Sequence, residues 1–119
     1  MPQAQVKMNV RKACEKARVI DVEGELTAFA EEALNAAYAE AESNDPEAIL
    51  LNFEGIDYIN STGIALIVGL LAKARISKRR LVAYGLSDHY VEIFNITRLS
   101  DLMSVFPDEE RAMSETSVS

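Results

Sequence analysis

The sequence has few of the residues on which covalent or metal chemistry depends. Among its 119 residues, Cys14 is the only cysteine, His89 is the only histidine, and tryptophan is absent. A single cysteine excludes an internal disulfide bond and a multi-cysteine zinc site, and it is typical of a reducing compartment. A catalytic Cys–His pair needs the two side chains in contact, and nothing in the sequence brings them together. We therefore expect no metal ion and no cysteine-based catalysis.

Positive charge is also scarce. The chain has 12 Lys and Arg residues against 19 Asp and Glu residues, a formal net charge of -7. Such a surface repels nucleic acid and anionic membranes, so neither is an expected partner. The basic residues do cluster in one segment, which contains Lys73, Arg75, Lys78, Arg79 and Arg80. This cluster could bind phosphate, but we favour the interpretation that it offsets the dipole at the C-terminal end of a helix.

Long apolar runs are missing as well. The longest, from Ile64 to Ala72, is interrupted by Gly69 and is shorter than the ~20 residues that span a bilayer. The N-terminal MPQAQVKMNVRK lacks the apolar segment of a signal peptide, so we expect a cytoplasmic protein. The hydrophobic content of 49% predicts a packed core. We expect one domain over residues 1–113 and a flexible tail over residues 114–119.

Periodicity in the sequence predicts the order of strands and helices. The predicted strands lie at 5–10, 18–23, 48–53, 80–85 and 104–106, and the predicted helices at 27–43, 61–77, 87–94, 99–103 and 108–113. Thr27 is the expected N-cap of the first helix, with Phe29, Leu34 and Tyr38 at helical spacing, and Ser87 caps the third helix. A short hairpin joins the first two strands. This order predicts an α/β fold in which a mixed sheet of four to five strands packs with about four α-helices.

The stretch DYINSTGIALIV, residues 57–68, follows a predicted buried strand and opens a helix. Loops at the carboxyl ends of strands in α/β sheets are where ligands and partners usually bind. Asn60 or Ser61 can cap the first turn of the helix, but Thr62 and Gly63 go beyond what a cap requires. Gly63 would let another chain or a phosphate approach the backbone. A phosphate on a hydroxyl here would lie in the favourable field of the helix N-terminus, so the sequence predicts a site suited to a switch.

Two other chemistries are less well supported at this loop. A phosphate-binding loop needs Gly-x-x-x-x-Gly-Lys-[Ser/Thr], and no lysine lies between Glu47 and Ala72. A hydroxyl nucleophile would lack a base, because the sequence has no Gly-x-Ser-x-Gly elbow and no histidine nearby in sequence. Asp57 could orient a hydroxyl or a kinase-bound metal, or it could be a turn residue.

Alternating carboxylates precede the first predicted helix. Asp21, Glu23 and Glu25 share one face in an extended chain. They could form a metal site, but we favour a solvated face. The sequence therefore predicts no metal-binding residue.

Three segments carry a resemblance to a known family. They are VEGELT at 22–27, ILLNFEGIDYINSTGI at 49–64, and residues 87–96 together with Leu99 and Leu102. These segments resemble the STAS domain of anti-sigma-factor antagonists, over about residues 5–113 and most specifically from Ile49 to Val68. The resemblance implies the STAS fold in a non-enzymatic protein without a cofactor. It also implies partner switching, with a GHKL-type Ser/Thr kinase that is also an anti-sigma factor as the partner.

The resemblance further assigns roles to individual residues. The family phosphorylates the residue just before the loop glycine, which implies Thr62 as the phosphoacceptor, with Ser61 as the alternative. The unphosphorylated form would capture the kinase and the phosphorylated form would release it. The implied partner surface comprises Gly24, Glu25, Thr27, Asp57, Asn60, Ser61, Thr62, Gly63 and Ile64.

Two residues depart from the family pattern. Asn60 stands where the family usually has Asp, and Thr27 replaces the common Asp after Gly-Glu-Leu. Asn60 keeps the capping role but removes a charge beside the acceptor. These departures leave open a STAS scaffold without a switch, in a stress-signalling or lipid-transport assembly. A small nucleotide- or anion-binding domain, with its ligand near Ser61, is a third interpretation, and a homodimer also stays open.

Overall fold

The computed structural model describes residues 6–116 of the chain. Within this range there are five strands, four α-helices and two 3-10 turns, the turns at Ala28–Ala30 and Leu99–Asp101. The strands are β1 (Val6–Cys14), β2 (Ala17–Leu26), β3 (Ala48–Ile59), β4 (Arg80–Tyr84) and β5 (Val105–Phe106), and the helices are α1 (Glu31–Glu42), α2 (Ser61–Ile76), α3 (Asp88–Ile96) and α4 (Glu109–Thr116). Each predicted helix or strand has a counterpart, so the predicted element order is confirmed. Gln5, the start of the first predicted strand, lies outside the described residues.

The strands form one mixed sheet in the order β1-β2-β3-β4-β5. β1 and β2 form an antiparallel hairpin with Cys14 opposite Ala17, as the short connection between the predicted strands indicated. The remaining neighbours are parallel, which places the starts of β2, β3 and β4 at one edge of the sheet and their ends toward the opposite edge. The predicted α/β fold with a mixed sheet is therefore confirmed.

Strand β3 is longer than the sequence predicted. The prediction ended this strand at Phe53, whereas the structure continues it to Ile59, so interpreting residues 54–59 as a loop was wrong. The extension pairs with the second half of β2 in a register with two irregularities, and it ends with Leu26 opposite Ile59. Residues 54–59 include Glu, Gly and Asp, which have low strand propensity. The sequence therefore did not predict this part of β3, which is stabilised by pairing with β2.

Apolar side chains fill both faces of the sheet. The main core lies under α1, α2 and α3 and contains Tyr38, Phe53 and Phe94, while a second cluster under α4 contains Tyr84 and Ala112. Within residues 6–116, no helix is both long and apolar enough to cross a membrane.

Helix α1 buries a different set of residues from the one expected. Its buried stripe starts at Ala30 and continues through Leu34 and Tyr38, with i,i+4 spacing. Phe29, expected on this stripe, is one position out of register and is 74% exposed. The expectation that Phe29 contributes to the core was therefore wrong. Thr27 is an N-cap as predicted, although the turn that it caps is the 3-10 turn that leads into α1.

The basic segment ends α2 and anchors two other parts of the chain. Lys73 and Arg75 lie in the last turn of the helix, which supports the interpretation that they offset its dipole. The Arg79 side chain is only 6% exposed and donates to the Asp45 carboxylate at 2.8 Å. Arg80 donates to the backbone oxygen of Thr116 at 3.1 Å. These two arginines hold segments of the fold together.

Helix α4 extends beyond its predicted end. It continues to Thr116, whose side chain is buried and donates to the Met113 carbonyl at 3.0 Å. Residues 114–116, which the sequence suggested to be part of a flexible tail, are therefore helical. Residues 117–119 of that predicted tail lie outside the described part of the chain.

Candidate functional site

The loop between β3 and α2 is a single residue, Asn60, with extended backbone angles. Its side-chain oxygen accepts a hydrogen bond from the Gly63 N–H at 2.9 Å, and its own N–H donates to the Leu26 carbonyl at 3.2 Å. Asn60 therefore caps α2 and also attaches the start of the helix to the end of β2. This arrangement satisfies one of the backbone donors that a helix N-terminus otherwise leaves unpaired.

The hydroxyls of Ser61 and Thr62 do not take part in capping α2. Ser61 is the first residue of α2 and Thr62 is the second, and both are exposed. Among residues 6–116, no side-chain hydrogen bond involves either hydroxyl; the cap is Asn60 alone. Of the two caps that the sequence allowed, Asn60 is therefore confirmed and Ser61 is not used. Two free hydroxyls lie side by side at the positive end of the helix dipole.

Gly63 is required by packing within the chain. A Cβ atom at this position would lie 2.2 Å from the Leu26 carbonyl oxygen and 3.0 Å from the Ile59 Cγ2 atom. No real side chain tolerates the first distance without movement of the backbone. The explanation that Gly63 admits another chain or a phosphate was therefore wrong. Its role is to let the first turn of α2 pack against the ends of β2 and β3.

The residues expected at a partner surface differ in exposure. Asp57, Ser61 and Thr62 are exposed, whereas Thr27 and Gly63 are buried. The Thr27 hydroxyl accepts from the Phe29 N–H at 3.3 Å and has little surface to offer a partner. The half-buried members are Gly24, Glu25, Asn60 and Ile64. The structure brings these residues together because the ends of β2 and β3 lie side by side.

Tyr90 supports the loop from behind and was not identified from the sequence. Its hydroxyl accepts a hydrogen bond from the backbone N–H of Ile59 at 2.9 Å, and the side chain is buried. Ser87 caps α3 as predicted by accepting from the Tyr90 N–H, which orients the first turn of that helix. The end of β3 is thus anchored immediately before Asn60. A tyrosine in the first turn of a capped helix was the available signal, but its partner could not be read from the sequence.

The sequence also did not identify two aromatic residues near the loop, Phe29 and Tyr58, as surface residues. Phe29 is 74% exposed and Tyr58 is 47% exposed. Tyr58 lies opposite Glu25 in the sheet register, two residues before Asn60. The 3-10 turn that carries Phe29 contacts α2. Large apolar side chains are therefore exposed on the strand that leads into α2 and on the turn that contacts it.

Asp21, the first of the alternating carboxylates of β2, is used within the fold. Asp21 accepts hydrogen bonds from Asn52 at 2.8 Å, from Arg11 at 3.0 Å and from Asn9 at 3.3 Å. Burial alone would raise the pKa of Asp21, but these hydrogen bonds outweigh it and hold that pKa below its ordinary value. No group of three potential metal-ligating side chains lies together anywhere in residues 6–116.

Comparisons with known proteins agree with this architecture. The sequence model of the family described as the STAS domain matches residues 3–112. An anti-sigma-B factor antagonist of Staphylococcus aureus is 33% identical over 86 residues, which cover 72% of this chain and 80% of that protein.

Solved structures share the same fold. The Bacillus cell fate determinant SpoIIAA in its phosphorylated form superposes with a TM-score of 0.71 at 22% identity, covering 92% of this chain and 99% of the other. A sulfate transporter family protein from Wolinella succinogenes gives a TM-score of 0.77 at 15% identity, covering 88% of both chains. The fold is thus shared by proteins whose names indicate different activities. The family match and the sequence relative nevertheless agree, and this chain belongs to the STAS domain family, among its anti-sigma-factor antagonists.

Proposed function

We propose that this protein is an anti-sigma-factor antagonist that binds a GHKL-type Ser/Thr kinase anti-sigma factor and is released from it by phosphorylation at Thr62. In this proposal the protein acts in the cytoplasm as a binding module without catalytic activity of its own. The observation that carries the proposal is the pair of exposed hydroxyls at Ser61 and Thr62, which have no side-chain hydrogen bond within residues 6–116 and lie next to the cap that Asn60 provides.

The geometry allows a phosphate to be added without unfolding the site. Thr62 is exposed in the first turn of α2, where the helix dipole favours a negative group. The modification would add about -1.5 to -2 charge and considerable bulk to the surface. In a closely packed interface this change opposes binding, and a loss of about 1.4 kcal/mol is already tenfold in affinity.

The choice of Thr62 over Ser61 follows from the family resemblance, since both hydroxyls are exposed. The existence of a phosphorylated form of a protein with this fold supports the idea that the fold tolerates a phosphate. Asn60 can hold the helix start as an Asp would, because both residues are good N-caps. The departure from the family pattern therefore leaves the presentation of Thr62 intact.

The test is phosphorylation by the anti-sigma-factor kinases encoded in the same genome. Wild type, Thr62→Ala and Ser61→Ala are incubated with each kinase and ATP, and the phosphate is mapped by mass spectrometry. We expect modification of wild type and Ser61→Ala but not of Thr62→Ala, and at least tenfold weaker kinase binding by the phosphorylated protein. Binding of Thr62→Glu with wild-type affinity would contradict the switch.

A STAS scaffold without a switch is the second candidate, favoured by the uncharged Asn60 beside the acceptor. In that case wild type would bind a partner yet stay unmodified in the same assay. A nucleotide-binding role has less support. The cleft beside the loop, of about 230 Å³, is lined by Glu23, Gly24, Gly55 and Asp57 together with Val6 and Lys7. Its two carboxylates outnumber its one lysine, which disfavours phosphate.

A further inference from the structure

Phe29 is a large apolar side chain that the fold leaves exposed. The side chain is 74% exposed, while its neighbour Ala30 is fully buried. It lies in a 3-10 turn that the Thr27 hydroxyl caps by accepting from the Phe29 N–H. The backbone that presents Phe29 is therefore held by a specific hydrogen bond, and the aromatic ring is directed away from the core.

The position of Phe29 links it to the hydroxyl loop. Its turn contacts α2 and follows Leu26, whose carbonyl accepts from the Asn60 N–H and lies against Gly63. Tyr58, the second exposed aromatic residue here, lies close to the end of β3 on the way into the same loop. The 3-10 turn that carries Phe29 thus lies against the helix that carries the two hydroxyls, and Tyr58 precedes the loop by two residues.

Most charges around this surface are negative, although Lys7 of β1 lies opposite Glu23 and lines the cleft with Asp57. The sequence has no Lys or Arg between Arg18 and Lys73, so the 3-10 turn, α1, β3 and the first three turns of α2 are free of cations. The carboxylates near Phe29 and the loop are Glu25, Glu31, Glu32 and Asp57. Within residues 6–116 none of these four forms an ion pair.

Several other cations lie toward the far edge of the sheet. Lys16 precedes β2, while Arg79 and Arg80 lie at the start of β4, and the parallel register places these starts at the edge opposite the hydroxyl loop. Carboxylates therefore outnumber cations around the hydroxyl loop and Phe29. A binding protein that fits this surface must offer positive charge.

We propose, building on the function proposed above, that Phe29 anchors the anti-sigma factor by entering an apolar pocket with a cationic rim, which pairs with Glu31 and Glu32. Aromatic side chains dominate the binding energy of many interfaces when surrounding contacts exclude water. Opposite charges at the rim accelerate association and select the partner. Affinity then depends mainly on Phe29, and the response to phosphate depends on Thr62.

The experiment compares binding of matched variants to the anti-sigma-factor kinases of the same genome by titration calorimetry. Phe29→Ser is expected to weaken binding about thirtyfold, the level of an interface hot spot. Ile96→Ser is the control, because Ile96 is 72% exposed on α3, away from the loop. It should bind within twofold of wild type. Thermal melting of each variant checks that the fold is intact.

The ionic part of the proposal is tested separately. Raising the NaCl concentration should weaken wild-type binding, and a variant with both Glu31→Gln and Glu32→Gln should show a smaller salt dependence. If wild type binds a kinase and Phe29→Ser binds equally well, the anchor is refuted while the proposed function stands. If wild type binds none of the anti-sigma factors, both proposals are overturned.

Discussion

Polar side chains are paired with one another on the α4 face of the molecule, whereas those at the hydroxyl loop are exposed and free. On the α4 face, Arg11 donates to Asp21 at 3.0 Å and to Glu109 at 2.6 Å, so one guanidinium joins β1, β2 and α4. At the hydroxyl loop, Ser61 and Thr62 are exposed and have no side-chain partner within residues 6–116. Polar groups that hold the fold together bind one another, whereas those available to a partner are left free.

The partly buried network on the α4 face shifts the ionisation of its members. Burial and the hydrogen bond to Glu109 raise the pKa of Tyr84, whose hydroxyl donates to that carboxylate at 2.8 Å. The hydrogen bond from Arg11 holds the pKa of Glu109 below its ordinary value. The pKa of each of these groups therefore depends on its partners in the network. They stabilise the position of α4 and are unavailable to a ligand.

The largest expected effect is a difference in stability between alanine substitutions at two glycines of α2. Gly63→Ala should destabilise the protein by about 3 kcal/mol, because the added Cβ overlaps the Leu26 carbonyl. Gly69→Ala is the matched control: a Cβ there meets nothing within 4 Å, and alanine should stabilise the helix by about 1 kcal/mol. Urea denaturation measures both free energies of unfolding. Equal effects would show that the contact between Gly63 and Leu26 is not a structural requirement.

The second prediction removes the centre of the α4 network. Arg11→Met should lower the free energy of unfolding at pH 7 by about 1 to 2 kcal/mol, a value limited by solvent because the arginine side chain is 37% exposed. Lys12→Met, which removes an exposed ion pair with Glu15, is the control and should have a much smaller effect than Arg11→Met.

The loss of stability caused by Arg11→Met should depend on pH. Asp21 and Glu109 have lowered pKa values in the folded state, so their contribution is complete above their ordinary values and is lost as pH falls through the lowered ones. The difference in stability between wild type and Arg11→Met should therefore shrink as pH falls below about 4. Urea denaturation at a series of pH values measures it. A difference that grows in acid would contradict the network.

Much of the fold followed from local patterns in the sequence. The hairpin and the alternation of helices and strands depend on side-chain periodicity, and the caps at Thr27 and Ser87 depend on short-range chemistry. The end of β3 could not be predicted because pairing with β2 stabilises residues of low strand propensity. The role of Gly63 was hidden for a similar reason, since its contact with Leu26 joins parts of the chain that are distant in sequence.

The surface was harder to predict than the core. The loop itself was recognisable, but the exposed state of Phe29 depends on one position of register. Ala30, Leu34 and Tyr38 have the i,i+4 spacing of the buried stripe, and that spacing was available in the sequence. The position of Tyr90 behind Ile59 was not, because only the folded sheet brings α3 to the end of β3.

The smallest expected effects distinguish the cap from the free hydroxyls. Asn60→Ala should destabilise the protein by about 1 kcal/mol through loss of the bond to the Gly63 N–H, whereas Asn60→Asp should change stability by less than about 0.5 kcal/mol. Ser61→Ala should also be nearly neutral, because the Ser61 hydroxyl has no partner within the described residues. Thermal and urea denaturation of the three variants measure this. If Ser61→Ala costs as much as Asn60→Ala, the serine is part of the cap after all, and only Thr62 is free to accept a phosphate.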